Sequence, residues 1–244
     1  MLKNLFARIG IGAAVVDAVL TTEHFIPGGP VEGRIDIKGG DVEQDISKIT
    51  LKLMTKLKVE NDEGSSFEDH VINAFIVTDA FCLQPNEERA IPFRFTLHPE
   101  TPVTALEVAN NQSKVWLETA LDIDFAADPT DRDYMNIHPT AVMMHCIKAM
   151  TNNGFVMAKA DVEKGGLNGP GFASSLGFYQ ELEFKPEGFG FTKEVEFSFV
   201  AEQNQTHLLV ELDRRFSGDG YRALTFSNQA GYAEVESQLR SLIN

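Results

Sequence analysis

The sequence predicts a mostly-β protein made of antiparallel β-sandwich units, and three observations carry that prediction. Short runs rich in β-branched and aromatic residues recur along most of the chain, and clusters of Pro, Gly and Asn punctuate them. The longest run, Ile49 to Val59, alternates with period two. Ile49, Leu51, Leu53, Leu57 and Val59 share one parity, while Lys48, Lys52, Lys56 and Lys58 share the other, as in a strand with one buried and one wet face. At 244 residues the chain exceeds the commonest domain size of about 100–150 residues, so two domains are expected. Hydrophobic residues at 43% and charged residues at 23% are the balance of a folded chain.

The elements follow in order. Leu2, Leu5, Phe6 and Ile9 repeat at helical spacing, which predicts a short amphipathic helix docked on the domain. Strands are expected at Val15 to Leu20 and Val31 to Ile37, separated by Pro27-Gly28-Gly29-Pro30 and closed by Gly39-Gly40. Further strands are expected at Ile49 to Val59, His70 to Phe81, Ala90 to Leu97 and Lys114 to Ile123. Asp128-Pro129-Thr130-Asp131 then breaks the series. Val142, Met143, Cys146, Ile147 and Met150 form a helical stripe that Pro139 opens and Asn153-Gly154 ends. Five more strands are expected at Phe155 to Val162, Phe178 to Phe184, Glu194 to Val200, His207 to Leu212 and Tyr221 to Phe226. A last helix turns Val235, Leu239 and Leu242 inward.

Charge narrows the function classes. The formal net charge is −15, with 12 basic and 23 acidic side chains in residues 1–133 against 9 and 13 in residues 134–244. Such a field repels nucleic acid and anionic lipid, which need clustered Lys and Arg. Cys82 and Cys146 are too few for a disulfide scaffold, and both are expected as buried thiols of a reducing compartment. The apolar stretch Ile9 to Leu20 is interrupted by Asp17, and no run reaches the roughly 18 apolar residues of a membrane span. A cytoplasmic protein is expected, with no stable membrane insertion.

Three segments together resemble a known family. Phe25-Ile26-Pro27-Gly28-Gly29-Pro30-Val31-Glu32-Gly33 is similar to the arrestin-type opening, in which a proline-glycine turn leads into a Val-x-Gly strand. Leu121-Asp122-Ile123-Asp124-Phe125-Ala126-Ala127-Asp128-Pro129-Thr130-Asp131-Arg132-Asp133-Tyr134 resembles the domain-boundary signature of the bacterial sporulation-control family of the Spo-zero-M type. Gln180 to Phe184 and Leu209 to Arg215 match that family too. The resemblance implies two arrestin-like domains, residues 1–133 with the short N-terminal helix and residues 134–244 with added helices. It also implies a regulatory role through protein contacts and no catalytic centre.

Among residues with chemistry, Asp122, Asp124, Asp128, Asp131 and Asp133 stand out as an acidic hinge. The glycine and terminal glutamate of a calcium loop are missing there, so no metal is expected. Arg214 and Arg215 admit two readings: a cross-domain latch onto that segment, for which arginine's planar fork suits carboxylates, or an exposed pair at a strand end. The lysines of the third run read as a solvated sheet face. His138, His145 and Cys146 read as core packing, since nothing completes a zinc set, and His207 reads as a structural histidine. Gly165 to Gly171 lacks the Lys and Ser or Thr of a phosphate loop and reads as a flexible connection.

The reading that results is a non-catalytic adaptor without cofactor. It recruits an unidentified protein through sheet edges and an interdomain concavity, with regulation through domain angle and a homodimer as a further expectation. The alternative is a metal-dependent or small-molecule-binding enzyme built on the acidic interdomain segment.

Overall fold

Alternating apolar residues along nearly every strand leave one face of each sheet to be covered, and the chain meets that demand twice. The computed structural model describes residues 14–61, 64–123, 129–188, 192–214 and 220–243. The order is β1 (Val15–Leu20), β2 (Pro30–Lys38), β3 (Gln44–Asn61), β4 (Gly64–Thr78), β5 (Phe81–Leu83), β6 (Glu88–Thr96), β7 (Asn110–Asn111), β8 (Val115–Ile123) and β9 (Thr130–Tyr134). Helix α1 (Ala141–Asn152) follows, then β10 (Phe155–Lys164), β11 (Asn168–Gly169), β12 (Phe172–Ala173), β13 (Phe178–Pro186), β14 (Thr192–Ala201), β15 (Gln205–Arg214), β16 (Gly220–Ser227) and helix α2 (Tyr232–Ile243). The N-terminal helix expected around Leu2 to Ile9 lies outside the described residues.

A three-stranded sheet, β1-β2-β6, faces a long sheet ordered β16-β15-β14-β13-β10-β3-β8-β9, to which β4 and β5 add along β3 and β7 along β10. Two large apolar clusters and three small ones result among the described residues. The first gathers Val31, Ile35, Ile49, Leu53, Leu83, Leu117, Leu121 and Ile137 between the two sheets. The second packs α1 and α2, through Cys146, Met150, Val235 and Leu239, on Phe184, Val195, Phe197, Leu208 and Val210. The long sheet runs through both halves, because β10 pairs in parallel with β3 at Glu163 and Lys58.

Local chemistry explains the boundaries. The Thr140 hydroxyl accepts the Met143 N–H at the start of α1, Asn153 caps its end, and Gly154 turns away at φ 79°. The strand expected from His70 to Phe81 is instead two elements, β4 and β5, both on β3. β4 pairs with β3 from Ile49 to Asn61, with irregularities at Ile49/Thr50 and Leu53/Met54, and β5 pairs with its start at Gln44 to Ile46. Gly33 stands where a Cβ would come within 2.6 Å of both the Phe93 ring and the Val19 carbonyl, which is the packing reason for glycine in the Val-x-Gly strand.

Two further expectations about the fold need correction. Gly165 to Gly171 does not form a loose connection. It leads into the β11-β12 hairpin, whose Leu167 and Phe172 cover Val200, with the Phe172 ring stacked on His207 at 4.4 Å. Of the two free thiols, Cys146 is fully buried and pushed up to about 12 by that burial, but Cys82 is only partly buried on the short strand β5. His207 has the structural role expected of it: Nδ1 lies 2.8 Å from Thr225 Oγ1 and Nε2 3.2 Å from Gln205. No helix among the described residues is long and apolar enough to cross a membrane.

Candidate functional site

The lysines of β3 stand on the outer face of the sheet, and register supplies each with an acid. Lys48 reaches Asp122 at 3.6 Å, Lys52 reaches Glu118 at 3.4 Å and Lys56 reaches Asp69 at 2.7 Å. Arg132 on β9 joins this lattice through Asp69 and Glu118, with its guanidinium 4.5 Å from the Trp116 ring. Exposed pairs of this kind add little stability individually. They do neutralise the face.

Lys58 is different because it sits where β3 meets β10. Its side chain, 14% exposed, lies 2.7 Å from Glu163, 2.5 Å from Glu60 and 3.8 Å from Asp161, and Asp161 also pairs with Lys159. Asp161 is 2% exposed. Beyond it, acids face acids across successive rungs: Asp161 opposite Glu181, Glu183 opposite Glu196, Glu196 opposite Glu211 and Glu194 opposite Asp213. Burial, with Glu163 and Asp161 nearby, pushes Glu181 up to about 7. Burial, then the charges of Glu181 and Glu211, pushes Glu196 up to about 8. Glu194, Glu196, Glu211 and Asp213 line a shallow groove of about 180 Å³.

The acidic segment read from the sequence does not stay together. Asp122 belongs to the lysine lattice. Asp131 and Asp133 on β9 converge instead with Asp17 on β1, their carboxylate oxygens within 4.8 Å of one another, and Asp131 accepts the Ala18 N–H at 3.0 Å. Burial, then the contact with Asp131 and the charge of Asp17, pushes Asp133 up to about 7. Asp124, Asp128 and Arg215 lie outside the described residues, and Arg214 closes β15 opposite Thr192. The charged part of the seam that the structure does describe is therefore made by Lys58, Asp161 and Glu163, beside the β7–β10 pairing and the bonds of Gln180 to Val103 and Ser113. None of the three charged residues stands out as a junction in the sequence, because each reads as one more wet-face residue of an alternating strand. Asp161, Glu163 and Glu181 come close enough to hold a cation, but Lys58 and Lys159 already occupy that place.

Two further features have binding capacity. The outer edge of β4 has no strand beside it among the described residues, and Val71, Ile76 and Phe67 are exposed on its outer side. His138 does not pack in the core as expected: it faces His24, with Nδ1 of His24 2.9 Å from Nε2 of His138.

Two apolar clusters along one shared sheet, with charged residues at the seam, define an arrestin-like β-sandwich protein. The family model described as SpoOM protein matches residues 2–216, and the chain belongs to this Spo0M family. The sporulation-control protein Spo0M of Bacillus subtilis is 35% identical over 219 residues, covering 88% of this chain and 81% of that protein. The crystal structure of Bacillus subtilis Spo0M superposes with a TM-score of 0.83 at 30% identity, covering 95% of this chain and 98% of that one.

Proposed function

We propose that this chain is a non-catalytic regulatory protein of the cytoplasm that recruits another protein by strand addition at the outer edge of β4. The sporulation-control name of its Bacillus subtilis relative supports the regulatory part of this reading. On the same reading, residues 1–133 and 134–244 act as two arrestin-like domains; the first apolar cluster also takes in Met135 and Ile137, and Leu106 and Val108 pack against the second.

The β4 edge carries the recruitment part. It spans fifteen residues, and Val71 to Thr78 contains no charge, proline or glycine. The edges of β1, β6, β9 and β16 are protected. On β1 the Ala18 N–H is already taken by Asp131. Five-residue β9 carries Asp131, Arg132 and Asp133, and β6 has Pro92 mid-strand with Glu88, Arg89 and Arg94 around it. The eight residues of β16 carry an exposed arginine, Arg222. Main-chain groups on an open edge bind an extended strand, and the side chains beside them select its sequence. The partner is accordingly an extended, apolar-alternating segment of another protein; a second copy of this chain offers one in its own β4.

A photo-crosslinking residue at position 74 tests this in native host cells. The expected result is a discrete adduct that disappears in the Val71→Lys/Ile76→Lys variant, with an adduct of the chain to itself identifying a homodimer. Adducts unchanged in that variant, or found only when the crosslinker stands at position 222 on β16, overturn the reading.

A further inference from the structure

His24 and His138 lie 114 residues apart in sequence, and the backbone holds them together. The Phe25 N–H donates to the Asn136 carbonyl at 3.1 Å, and the His138 N–H donates to the Phe25 carbonyl at 2.7 Å. Between these bonds Phe25 and Ile137 form a parallel bridge, and both side chains are buried, at 3% and 0% exposure. The Thr104 hydroxyl accepts the Ile137 N–H at 2.9 Å, and the Ile137 carbonyl accepts two more N–H groups, from Thr104 and Ala105. Two anchored residues thus set the positions of two imidazoles at the surface, with ring centroids 4.8 Å apart and planes inclined by 60°.

We propose that His24 and His138 form a two-imidazole site for a late first-row divalent cation, Cu(II) or Ni(II), which staples residues 22–25 to the segment leading into α1. The separation of 2.9 Å between Nδ1 of His24 and Nε2 of His138 matches two ligands at right angles around one ion, since metal–nitrogen bonds of about 2.0–2.1 Å place cis nitrogens about 2.9 Å apart. Right-angled coordination by nitrogen and oxygen is the preference of Cu(II) and Ni(II), and neutral imidazole suits both. Tetrahedral Zn(II) needs a wider pair, at about 3.3 Å from the same bond lengths, and binds more weakly at this spacing.

Without metal the two nitrogens share one proton in a hydrogen bond. Metal binding requires the ring that carries this proton to change tautomer. If that ring is His24, the proton moves from Nδ1 to Nε2, and both lone pairs then face the ion. No proton is lost overall. The exposure of His24 leaves the remaining coordination positions to water. Among the described residues no Asp, Glu or Cys joins this pair to make three converging ligands, so two imidazoles are the protein's whole contribution.

Calorimetric titration of the untagged full chain with Ni(II), repeated with Cu(II) and Zn(II), tests the site. One equivalent of Ni(II) is expected to bind, with affinity at least tenfold weaker in His24→Gln and in His138→Gln and unchanged in His98→Ala. Glutamine keeps a hydrogen-bonding side chain at each place, and unchanged near-ultraviolet circular dichroism confirms that the variants fold. Nitrogen hyperfine coupling from two imidazoles is expected in the electron paramagnetic spectrum of the Cu(II) form. The absence of binding heat, or binding that survives in the His24→Gln/His138→Gln double variant, overturns the proposal.

Discussion

Lys58 Nζ lies 2.7 Å from a carboxylate oxygen of Glu163, and this contact joins β3 to β10 at the only rung those two strands share among the described residues. Burial pulls the Lys58 ammonium down. The hydrogen bonds it donates to Glu163 and Glu60, with the charges of Glu163 and Asp161, outweigh that effect and leave it above its usual value. Lys58→Met strips Glu163 of this partner and leaves Asp161 with Lys159 alone. The expected loss is about 3 kcal/mol, within the range for removing one partner of a buried pair. Urea unfolding at neutral pH measures it. Adding Glu163→Gln recovers part of the loss, because Glu163 is then no longer an unpaired charge and Asp161 keeps Lys159; a loss below about 0.5 kcal/mol in the single variant contradicts the assignment.

The acid rungs make stability depend on pH in an unusual direction. Glu181 at about 7 and Glu196 at about 8 hold protons in the folded protein that the unfolded chain has already released. Between the ordinary carboxylate range and pH 8 the folded state therefore binds more protons, and stability falls as pH rises through that window. The thermal midpoint is expected to drop by roughly 2–4 °C for each kcal/mol so lost between pH 5.5 and 8.5. Glu196→Gln removes part of the slope and raises the midpoint at pH 8.5; an identical slope in Glu181→Gln/Glu196→Gln rules out the acid rungs as its origin and assigns it to Asp133, which is also pushed up to about 7. Exposed Glu60 and Asp69 and half-buried Glu87, all lowered by partners, act in the opposite sense below the ordinary carboxylate range.

Gly33→Ala is expected to cost about 1–3 kcal/mol, the usual range for overpacking. A Cβ there meets both the Phe93 ring and the Val19 carbonyl at 2.6 Å. Chemical denaturation of Gly33→Ala and of Gly33→Ala/Phe93→Leu separates the two contacts. The second variant recovers only part of the loss, since the Val19 carbonyl belongs to the backbone of the neighbouring strand.

Features legible in the sequence are those that depend on neighbours along the chain. The alternation of β3, the capped stripe of α1 and the inward turn of Val235 and Leu239 are all periodic, and the structure has each of them. The proline-glycine opening and the Leu121 to Tyr134 segment also point to the family. What is not legible depends on which strands lie side by side. Asp131 and Asp133 read as acidic, but their neighbour Asp17 belongs to the first strand. Glu181, Glu196 and Glu211 are separate wet-face residues until β13, β14 and β15 align them. The same holds for His24 and His138, whose meeting depends on the Phe25–Ile137 bridge. Gly165 to Gly171 misleads because glycine content reports backbone freedom, whereas the fate of that segment is decided by Phe172 finding His207.

The eighteen residues of β3 have a mechanical consequence. At about 3.4 Å per residue the strand is a beam roughly 60 Å long, bonded to β4, β5 and β8 along most of its length and touching β10 near its far end. Paired on both sides, such a beam bends chiefly at its irregularities near Ile46, Ile49 and Leu53, so a load applied at the β4 edge is expected to spread along the strand as torsion of the sheet. An event on one half is accordingly expected to reach the half containing α1 and α2 as a change of twist, through the Lys58 and Glu163 rung together with the β7–β10 pairing.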